Sequence, residues 1–231
     1  MKPPARVRVG FVSLGCAKNL VDSQLMAGSL LAQHLELASS HDHADVLVVN
    51  TCSFIADARE ESMRAIEDAC SLKRSGGCRA VIVCGCLPQR YRSSLAEKLP
   101  EVDAFLGIDE LDRLAQVVER VVAGESGIMQ VSAVPARVFD PLPQHRVVLT
   151  RGPYAYLKIA EGCNHGCAFC AIPGIRGRYR SRPVTSVVRE AESLLAAGFR
   201  ELNLISQDTF SYGRDLGGDT NLAGLLRGLD G

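Results

Sequence analysis

Three cysteines fall within eight residues of this chain, and no cysteine follows them. They are Cys163, Cys167 and Cys170, in the stretch EGCNHGCAFCAIPGIRGR of residues 161–178. Thiolates are soft ligands, suited to zinc and to iron–sulfur clusters. Four thiolates would close a tetrahedral site, whereas three leave one coordination position open. The spacing therefore predicts a metal centre that can bind an additional ligand directly.

Two other chemistries fit this loop less well. A zinc site needs a fourth ligand, and His165 lies inside the loop, where it could hardly fold back to complete a tetrahedron. A thioredoxin-like pair of Cys167 and Cys170 leaves Cys163 without a role and lacks the helix start usual at that motif. An iron–sulfur cube fits best, because three of its irons would be held by protein and the fourth would stay open.

Three further cysteines follow predicted strands. Cys16 comes after VRVGFVSL, Cys52 after DVLVVNT and Cys86 after AVIVCG. The carboxyl ends of parallel strands meet at one edge of an open α/β sheet, where ligands bind, so these thiols are predicted to converge. Buried cysteines also occur at strand ends for packing alone, which is the alternative for any one of them. The remaining cysteines are predicted to have no chemical role: Cys70, Cys78 and Cys84.

The elements that must position the strand-end cysteines alternate between strand and helix. Predicted strands cover residues 7–14, 45–49, 80–83 and 102–106, and predicted helices cover 20–34, 56–72, 93–99 and 111–122. This alternation predicts a parallel sheet with helices on its faces, in a flavodoxin-like, doubly wound α/β domain. Its expected limits are residues 6–123, followed by a proline-punctuated linker at 124–148.

A second unit, residues 149–231, would carry the cysteine loop. It reads as a strand at 154–160, the loop, a helix at 184–197, a strand at 201–206 and a weak helix at 222–229. Two strand–helix pairs cannot close a barrel, and the last strand would leave an unpaired edge. We therefore expect the opening units of a partial barrel in a chain truncated at its C-terminal end.

Composition narrows the class of protein. The net charge is zero and 47% of the residues are hydrophobic, which predicts a packed core and disfavours nucleic-acid binding through overall charge. The apolar stretch VGFVSLG is too short for a signal peptide, and no run approaches the roughly 20 residues of a membrane span. Nine cysteines in such a chain are typical of metal or redox chemistry in a reducing cytoplasm.

The cysteine loop, with Phe169 just before its third cysteine, closely resembles that of the radical S-adenosylmethionine (SAM) enzymes. In those enzymes the open iron of a [4Fe–4S] cluster binds the amino and carboxylate groups of SAM. The resemblance implies that Cys163, Cys167 and Cys170 hold this cluster and that Phe169 contributes to the cofactor site. It implies no catalytic residue beyond the cluster ligands.

Several flanking segments are similar to the methylthiotransferase branch of that family. They are YLKIAEGCN, GIRGRYRSRP, SLGCAKNLVDS, VVNTCSFI and GCLPQRY. In that branch the N-terminal cysteines hold a second [4Fe–4S] cluster, which would assign this role to Cys16, Cys52 and Cys86. The family also continues through the rest of a barrel and a small β-rich module, beyond the part that this sequence matches.

Two segments, SLGCAKNLVDS and LISQDTFSYG, resemble the members that add a methylthio group to the β-carbon of an aspartate in small-subunit ribosomal protein twelve. This resemblance implies SAM, two clusters, an electron donor such as a flavodoxin or ferredoxin, and a sulfur donor. Two alternatives stay open: a transfer-RNA adenosine methylthiotransferase and a non-catalytic iron–sulfur protein. A flavin binder is disfavoured, because thiols stand where phosphate-binding residues would be expected.

Polar residues near the cysteine loop are further candidates. Residues 207–209 (QDT) follow the last predicted strand, where barrel enzymes place functional groups, and could contact SAM. Alternating arginines in an extended segment would form one basic face, either solvated or turned to an anionic ligand. These are Arg176, Arg178, Arg180 and Arg182. Glycines predicted to let the backbone approach a cluster are Gly15, Gly85, Gly162 and Gly166.

Overall fold

A parallel sheet organises the N-terminal part of the structure, a computed structural model that describes residues 7–138, 146–149 and 152–230. Among these residues the sheet has six strands. They are β1 (Arg8–Ser13), β2 (Glu36–Leu37), β3 (Val46–Thr51), β4 (Ala80–Gly85), β5 (Ala104–Leu106) and β6 (Ile128–Gln130). Their spatial order is β2-β1-β3-β4-β5-β6. The first five follow the flavodoxin-like order, which confirms the predicted fold class.

Helices cover both faces of this sheet. The connecting helices are α1 (Ala17–Ala32), α2 (Ala56–Arg74), α3 (Cys86–Tyr91), α4 (Ser93–Lys98) and α5 (Leu114–Val122). Successive side chains of a strand point to opposite faces, so β3 divides its apolar residues between two cores. Val46 and Val48 pack with α1 and α5, whereas Leu47 and Val49 pack with α2, α3 and α4. A strand covered on both sides is apolar throughout, as β3 is.

The C-terminal part is built on a smaller parallel pair. Strand β7 (Tyr154–Lys158) pairs with β10 (Glu201–Ile205), and β8 (Ala160–Glu161) pairs with β9 (Arg180–Ser181) in the antiparallel sense. The helices are α6 (Ile172–Arg176), α7 (Val184–Ala196) and α8 (Leu222–Asp230). Helix α7 crosses between β7 and β10, and its Val187 and Leu194 are buried against Leu157. This is the βαβ unit with which a partial barrel opens.

The segment predicted to be a linker contributes a strand to the first sheet. Strand β6 pairs with β5 in the register Ala104↔Ile128 to Leu106↔Gln130. Three residues are too short for an alternating pattern to stand out, which is why the sequence did not reveal it. Residues 139–145, with Pro141 and Pro143, and the outer limits Arg6 and Gly231 lie outside the described residues. The other predicted domain limits stay predictions.

The two parts of the chain pack against each other through α1, α3 and α6. Cys86, at the start of α3, shares a small buried cluster with Ile108 and with Ile175 of α6. Helix α1 also contacts β7. Helix α6 was not predicted, although its Ile175 takes part in this packing. No helix among the described residues is long and apolar enough to span a membrane.

Candidate functional site

The three strand-end cysteines lie at one edge of the sheet. Cys16 immediately precedes α1, Cys52 follows β3 and Cys86 begins α3 after β4. Cys52 and Cys86 are buried, whereas Cys16 is exposed. Burial raises the pKa of the Cys86 thiol, the guanidinium of Arg176 lowers it and the neighbouring Cys52 and Cys16 thiols raise it, with a net value of about 11. Three thiols distant in sequence therefore face a common region that is open to solvent on the Cys16 side.

A glycine allows two of these cysteines to approach closely. Gly15 has a φ of +86°, a left-handed conformation that favours glycine. A Cβ atom at this position would lie 2.6 Å from the Cβ of Cys52 and 3.1 Å from its Sγ. The loop that carries Cys16 can therefore reach Cys52 only because residue 15 has no side chain.

Buried polar side chains fix the loops around these thiols. Asn19 donates to the carbonyls of Leu14 and Thr51, at 3.1 and 2.8 Å. Asn50 donates to the carbonyl of Asn19 at 2.9 Å, and Ser53 donates to the carbonyl of Cys86 at 3.0 Å. These hydrogen bonds join the carboxyl ends of β1, β3 and β4. The roles of Asn19, Asn50 and Ser53 were not predicted from the sequence.

The other three cysteines lie in the loop of residues 162–171, between β8 and α6. Cys163 is buried at its base, Cys170 is half-buried and Cys167 is exposed. The amide of Cys163 donates to the carbonyl of Gly177 at 3.2 Å, which anchors the base of the loop. Phe169, predicted to contribute to the cofactor site, is 88% exposed at the tip. The loop thus has a fixed base and a tip that faces solvent.

Glycines differ in their importance within this loop. Gly162 has a φ of +79°, and a Cβ atom there would lie 2.2 Å from the carbonyl oxygen of Arg178. Its lack of a side chain lets the loop base press against the segment after α6. Gly166 has open space around it, so the structure gives no steric reason for glycine at that position.

His165 turns towards the end of β10. Its Nε2 lies 2.8 Å from Oδ2 of Asp208, and a ring nitrogen, a carboxylate oxygen of Asp208 and Sγ of Cys163 lie within 4.8 Å of one another. Cys167 and Cys170, both described, do not join this group. Ser211 donates to Asp208 at 2.5 Å, and this bond, with that of His165, holds the pKa of Asp208 below its usual range.

A polar cavity of about 240 Å³ opens beside the cysteine loop. It includes Asp208, one of the three residues singled out at the end of β10, and it borders the loop through Asn164 and His165. Hydroxyl, amide, carboxylate and guanidinium groups can all reach a ligand there. The complete lining is Asn164, His165, Tyr179, Asp208, Ser211, Arg214 and Asp215.

Between the two groups of cysteines lies a network of buried charges. Lys158 and Arg176 each contact both Asp22 and Glu161, and all four side chains are at most 2% exposed. Nη1 of Arg176 is 2.9 Å from Asp22 and 3.0 Å from Glu161, and Nζ of Lys158 is 3.0 Å from Glu161. Burial would raise the pKa of Glu161, but Arg176 and Lys158 lower it to about 2. Two cations and two anions thus compensate one another away from solvent.

The buried ion network contacts predicted site residues of both groups, Gln207 near the cysteine loop and Cys86 at the sheet edge. Gln207 donates to Glu161 at 2.6 Å from the end of β10. Arg176 donates to Sγ of Cys86 at 3.4 Å, and to Asn19. Network residues therefore lie between the strand-end cysteines and the cysteine loop. The sequence contained one signal for them, charged residues such as Asp22 and Lys158 placed among apolar neighbours.

The four alternating arginines do not form a common basic face. Arg176 and Arg182 are buried, whereas Arg178 is exposed. Arg182 pairs with Glu190 and donates to the carbonyl of Lys158 at 2.8 Å. The expected extended segment is interrupted, because Arg176 ends α6 and only Arg180 and Ser181 are in a strand.

Each of the two parts of the chain matches a known protein family. Residues 8–107 match the family model described as uncharacterized protein family UPF0004, and residues 157–229 match the radical SAM superfamily. The chain is 48% identical over 226 residues to the ribosomal protein uS12 methylthiotransferase RimO of Trichlorobacter lovleyi, covering 97% of this chain and 50% of that protein. For the RimO of Geobacter sulfurreducens the identity is 46%, with the same coverage. The chain thus spans about half the length of the curated relatives it matches.

Solved structures support the fold. Two structures of TsrM, a radical SAM methyltransferase from Kitasatospora setae, align with TM-scores of 0.62 and 0.63 at 15% and 14% identity. Each alignment covers 96% of this chain and 50% of the other, and at this identity it speaks for the fold alone. The radical SAM match implies SAM and a [4Fe–4S] cluster as cofactors. Both matched domains, together with the similarity to the RimO methylthiotransferases, show that the chain belongs to the radical SAM methylthiotransferase family.

Proposed function

We propose that the protein uses SAM and two [4Fe–4S] clusters to add a methylthio group to the β-carbon of an aspartate in ribosomal protein uS12. One observation carries the proposal. A single chain presents two separate groups of three cysteines, and it does so in a sequence 48% identical to a RimO methylthiotransferase. A cytoplasmic location would follow from a ribosomal-protein substrate.

The first proposed cluster is held by Cys163, Cys167 and Cys170. The donor set fits, because three thiolates of one short loop leave an iron free for SAM. The buried base and exposed tip fit as well, since SAM must reach the open iron from solvent. Phe169 is proposed to contact the cofactor from its exposed position at the tip.

The second proposed cluster is held by Cys16, Cys52 and Cys86. The fit is supported by the position of the three thiols at one sheet edge and by Gly15, whose missing side chain lets the Cys16 loop approach Cys52. Cluster ligands must be thiolates, and the cation of Arg176 favours the thiolate form of Cys86 against the effect of burial. When bound, the clusters and SAM supply the reductive cleavage of SAM, hydrogen abstraction from the substrate and the sulfur that is transferred.

The remaining residues are proposed to bind and orient. Asp208 is ionised at neutral pH and held by Ser211 and His165, so it can accept hydrogen bonds from the polar groups of SAM in the adjacent cavity. The buried ion network fills the space between the two groups of cysteines with paired side chains, which limits the access of water from that side. Electrons and replacement sulfur are proposed to come from separate donors, a flavodoxin or ferredoxin for the electrons.

The decisive test is iron and acid-labile sulfide per chain after anaerobic reconstitution. About eight irons in the parent should fall to about four when Cys163, Cys167 and Cys170 are replaced by alanine, and likewise for Cys16, Cys52 and Cys86. The matched control is Cys78→Ala, which removes a buried cysteine outside both groups. If the parent held about four irons and the variant without Cys163, Cys167 and Cys170 held none, the chain would have no second cluster. That result would contradict the proposed sulfur transfer.

Product analysis then separates this function from its alternatives. Incubation with SAM, a reductant and uS12 should form 5′-deoxyadenosine and methylthiolated aspartate, both detectable by mass spectrometry. Methylthiolated adenosine in transfer RNA, without modified uS12, would instead identify a transfer-RNA enzyme. Redox-active clusters without any 5′-deoxyadenosine would identify a non-catalytic iron–sulfur protein.

A further inference from the structure

The side chain of Arg176 joins the two groups of cysteines. We propose that Arg176 is a positioning residue for the second cluster. Its side chain donates a hydrogen bond to the sulfur of Cys86 and thereby raises the reduction potential of the cluster. It also holds Cys86 against the part of the chain that carries the cysteine loop. The inference rests on the proposed function, because it takes Cys86 as a cluster ligand.

Both terminal nitrogens of the Arg176 guanidinium have fixed partners. Nη1 contacts Asp22 and Glu161, and Nη2 contacts Oδ1 of Asn19 and, at 3.4 Å, Sγ of Cys86. The side chain is 2% exposed. A planar fork with several fixed partners keeps one orientation, so the hydrogen bond to the sulfur is set in advance of cluster binding.

The backbone places Arg176 between the two sites. It is the last residue of α6, which follows the cysteine loop directly. The preceding residue, Ile175, is buried against Cys86 and Ile108. Packing and hydrogen bonding thus act on the same thiol. A change in the position of α6 would move a donor relative to Cys86 while also moving the end of the cysteine loop.

Hydrogen bonds and positive charge near ligand sulfurs raise the reduction potential of an iron–sulfur cluster, because the reduced cluster is more negative. Asp22 and Glu161 compensate the charge of Arg176 and Lys158 within the network, but they accept from Nη1, whereas the sulfur is contacted by Nη2. The directional N–H···S bond therefore remains. Lysine at this position keeps a positive charge but lacks the second terminal nitrogen, which in arginine donates to the sulfur.

The test uses the full chain with Cys163, Cys167 and Cys170 replaced by alanine, so that the second cluster is the one observed. In this background we compare Arg176→Lys and Arg176→Gln with Arg178→Lys, an exposed arginine two residues away. The measurements are iron content, a redox titration followed by electron paramagnetic resonance, and the unfolding temperature of the apoprotein. Both Arg176 variants should show a more negative potential, and Arg178→Lys should match the background.

The outcomes are distinct. Equal potentials with about four irons in Arg176→Lys and in the background would overturn the role of Arg176 and leave the second cluster intact. Absence of iron from the background protein would overturn both this role and the proposed second cluster. Should Arg176→Gln fail to fold, Arg176→Lys decides. Loss of iron from Arg176→Lys supports the role if the apoprotein unfolds at the background temperature, and assigns Arg176 to folding alone if that temperature falls.

Discussion

Lys158 of β7 forms a buried ion pair with Asp22 of α1, two residues separated by 136 positions in sequence. Both side chains are 1% exposed. Removing such charges from water is costly, and the cost is offset only where each has a complete set of partners. The pair therefore favours one arrangement of the two parts of the chain, the one in which Glu161 and Arg176 complete the network.

Lys158→Met should lower the free energy of unfolding by about 3–5 kcal/mol, because Asp22 and Glu161 would then face each other with one cation fewer. Urea denaturation at neutral pH measures this change. The control is Arg120→Met, which breaks the exposed pair with Glu125 and should change the free energy of unfolding far less, because solvent screens an exposed pair. Similar losses in both variants would show that the buried network contributes little to stability.

Cys163→Ala should abolish the formation of 5′-deoxyadenosine from SAM, because the first cluster loses a ligand at the base of its loop. Cys52→Ala should leave SAM cleavage intact and stop methylthio transfer, because it removes a ligand of the second cluster. Both products are measured in one incubation by mass spectrometry. Normal methylthiolation by Cys52→Ala would show that methylthio transfer does not require Cys52.

Asp208→Asn should weaken SAM binding roughly 10- to 100-fold, the effect expected for loss of a charge-assisted hydrogen bond. Asparagine keeps the size of the side chain but not its charge. Binding is measured by equilibrium dialysis of SAM with the reconstituted protein, and iron content is checked in the same samples. Asp219→Asn changes an exposed carboxylate outside the cavity and should bind SAM like the parent. Unchanged affinity in Asp208→Asn would exclude the cavity as the SAM site.

Gly15→Ala should reduce the iron held by the second cluster, because the new methyl group would lie 2.6 Å from the Cβ of Cys52. Its left-handed φ adds strain of about 1 kcal/mol. Gly76→Ala is the matched control, since Gly76 also has a positive φ, of +81°, but no atom within 4 Å of the added Cβ. Backbone strain alone would make the two variants alike in iron content, whereas we expect the loss only in Gly15→Ala.

The carboxyl group of Asp45, which lies away from both groups of cysteines, is expected to make the stability of the fold depend on pH. Its burial raises the pKa, but hydrogen bonds from the amide and guanidinium of Arg8, at 2.9 and 3.2 Å, lower it below the ordinary value. A lowered pKa contributes stability that is complete above the unfolded pKa of about 3.9 and is lost as pH falls through the folded value.

Asp45→Asn should therefore lower the free energy of unfolding by about 1–2 kcal/mol at pH 7, and the difference from the parent should shrink below about pH 4. Urea denaturation of the apoprotein at a series of pH values gives this difference. Glu125→Gln is the control, because it removes a carboxylate that pairs with Arg120 on an exposed surface. A constant difference across pH for Asp45→Asn would contradict the ionic origin of the effect.

Much of the fold follows from local pattern. The apolar run of residues 46–49 and the strands and helices around it were predicted within a few residues, because each buries a continuous stripe that is visible in sequence. Several short elements were missed, among them α3. Strands β2 and β6 and helix α6 have two, three and five residues, and segments of that length carry no period.

The candidate cluster ligands could be proposed from the sequence, because thiol chemistry and loop spacing are local properties of Cys163, Cys167 and Cys170. The predicted parallel strands already implied one common edge for Cys16, Cys52 and Cys86, and the strand order of the structure agrees with this. Only the tertiary structure decided that Asp22, Lys158, Glu161 and Arg176 meet. Arg176 and Asp22 are 154 positions apart, and no sequence pattern pairs charges at that distance. Their pairing arises because α1 packs against β7 and α6 packs against α3, and the charges buried by that packing compensate one another.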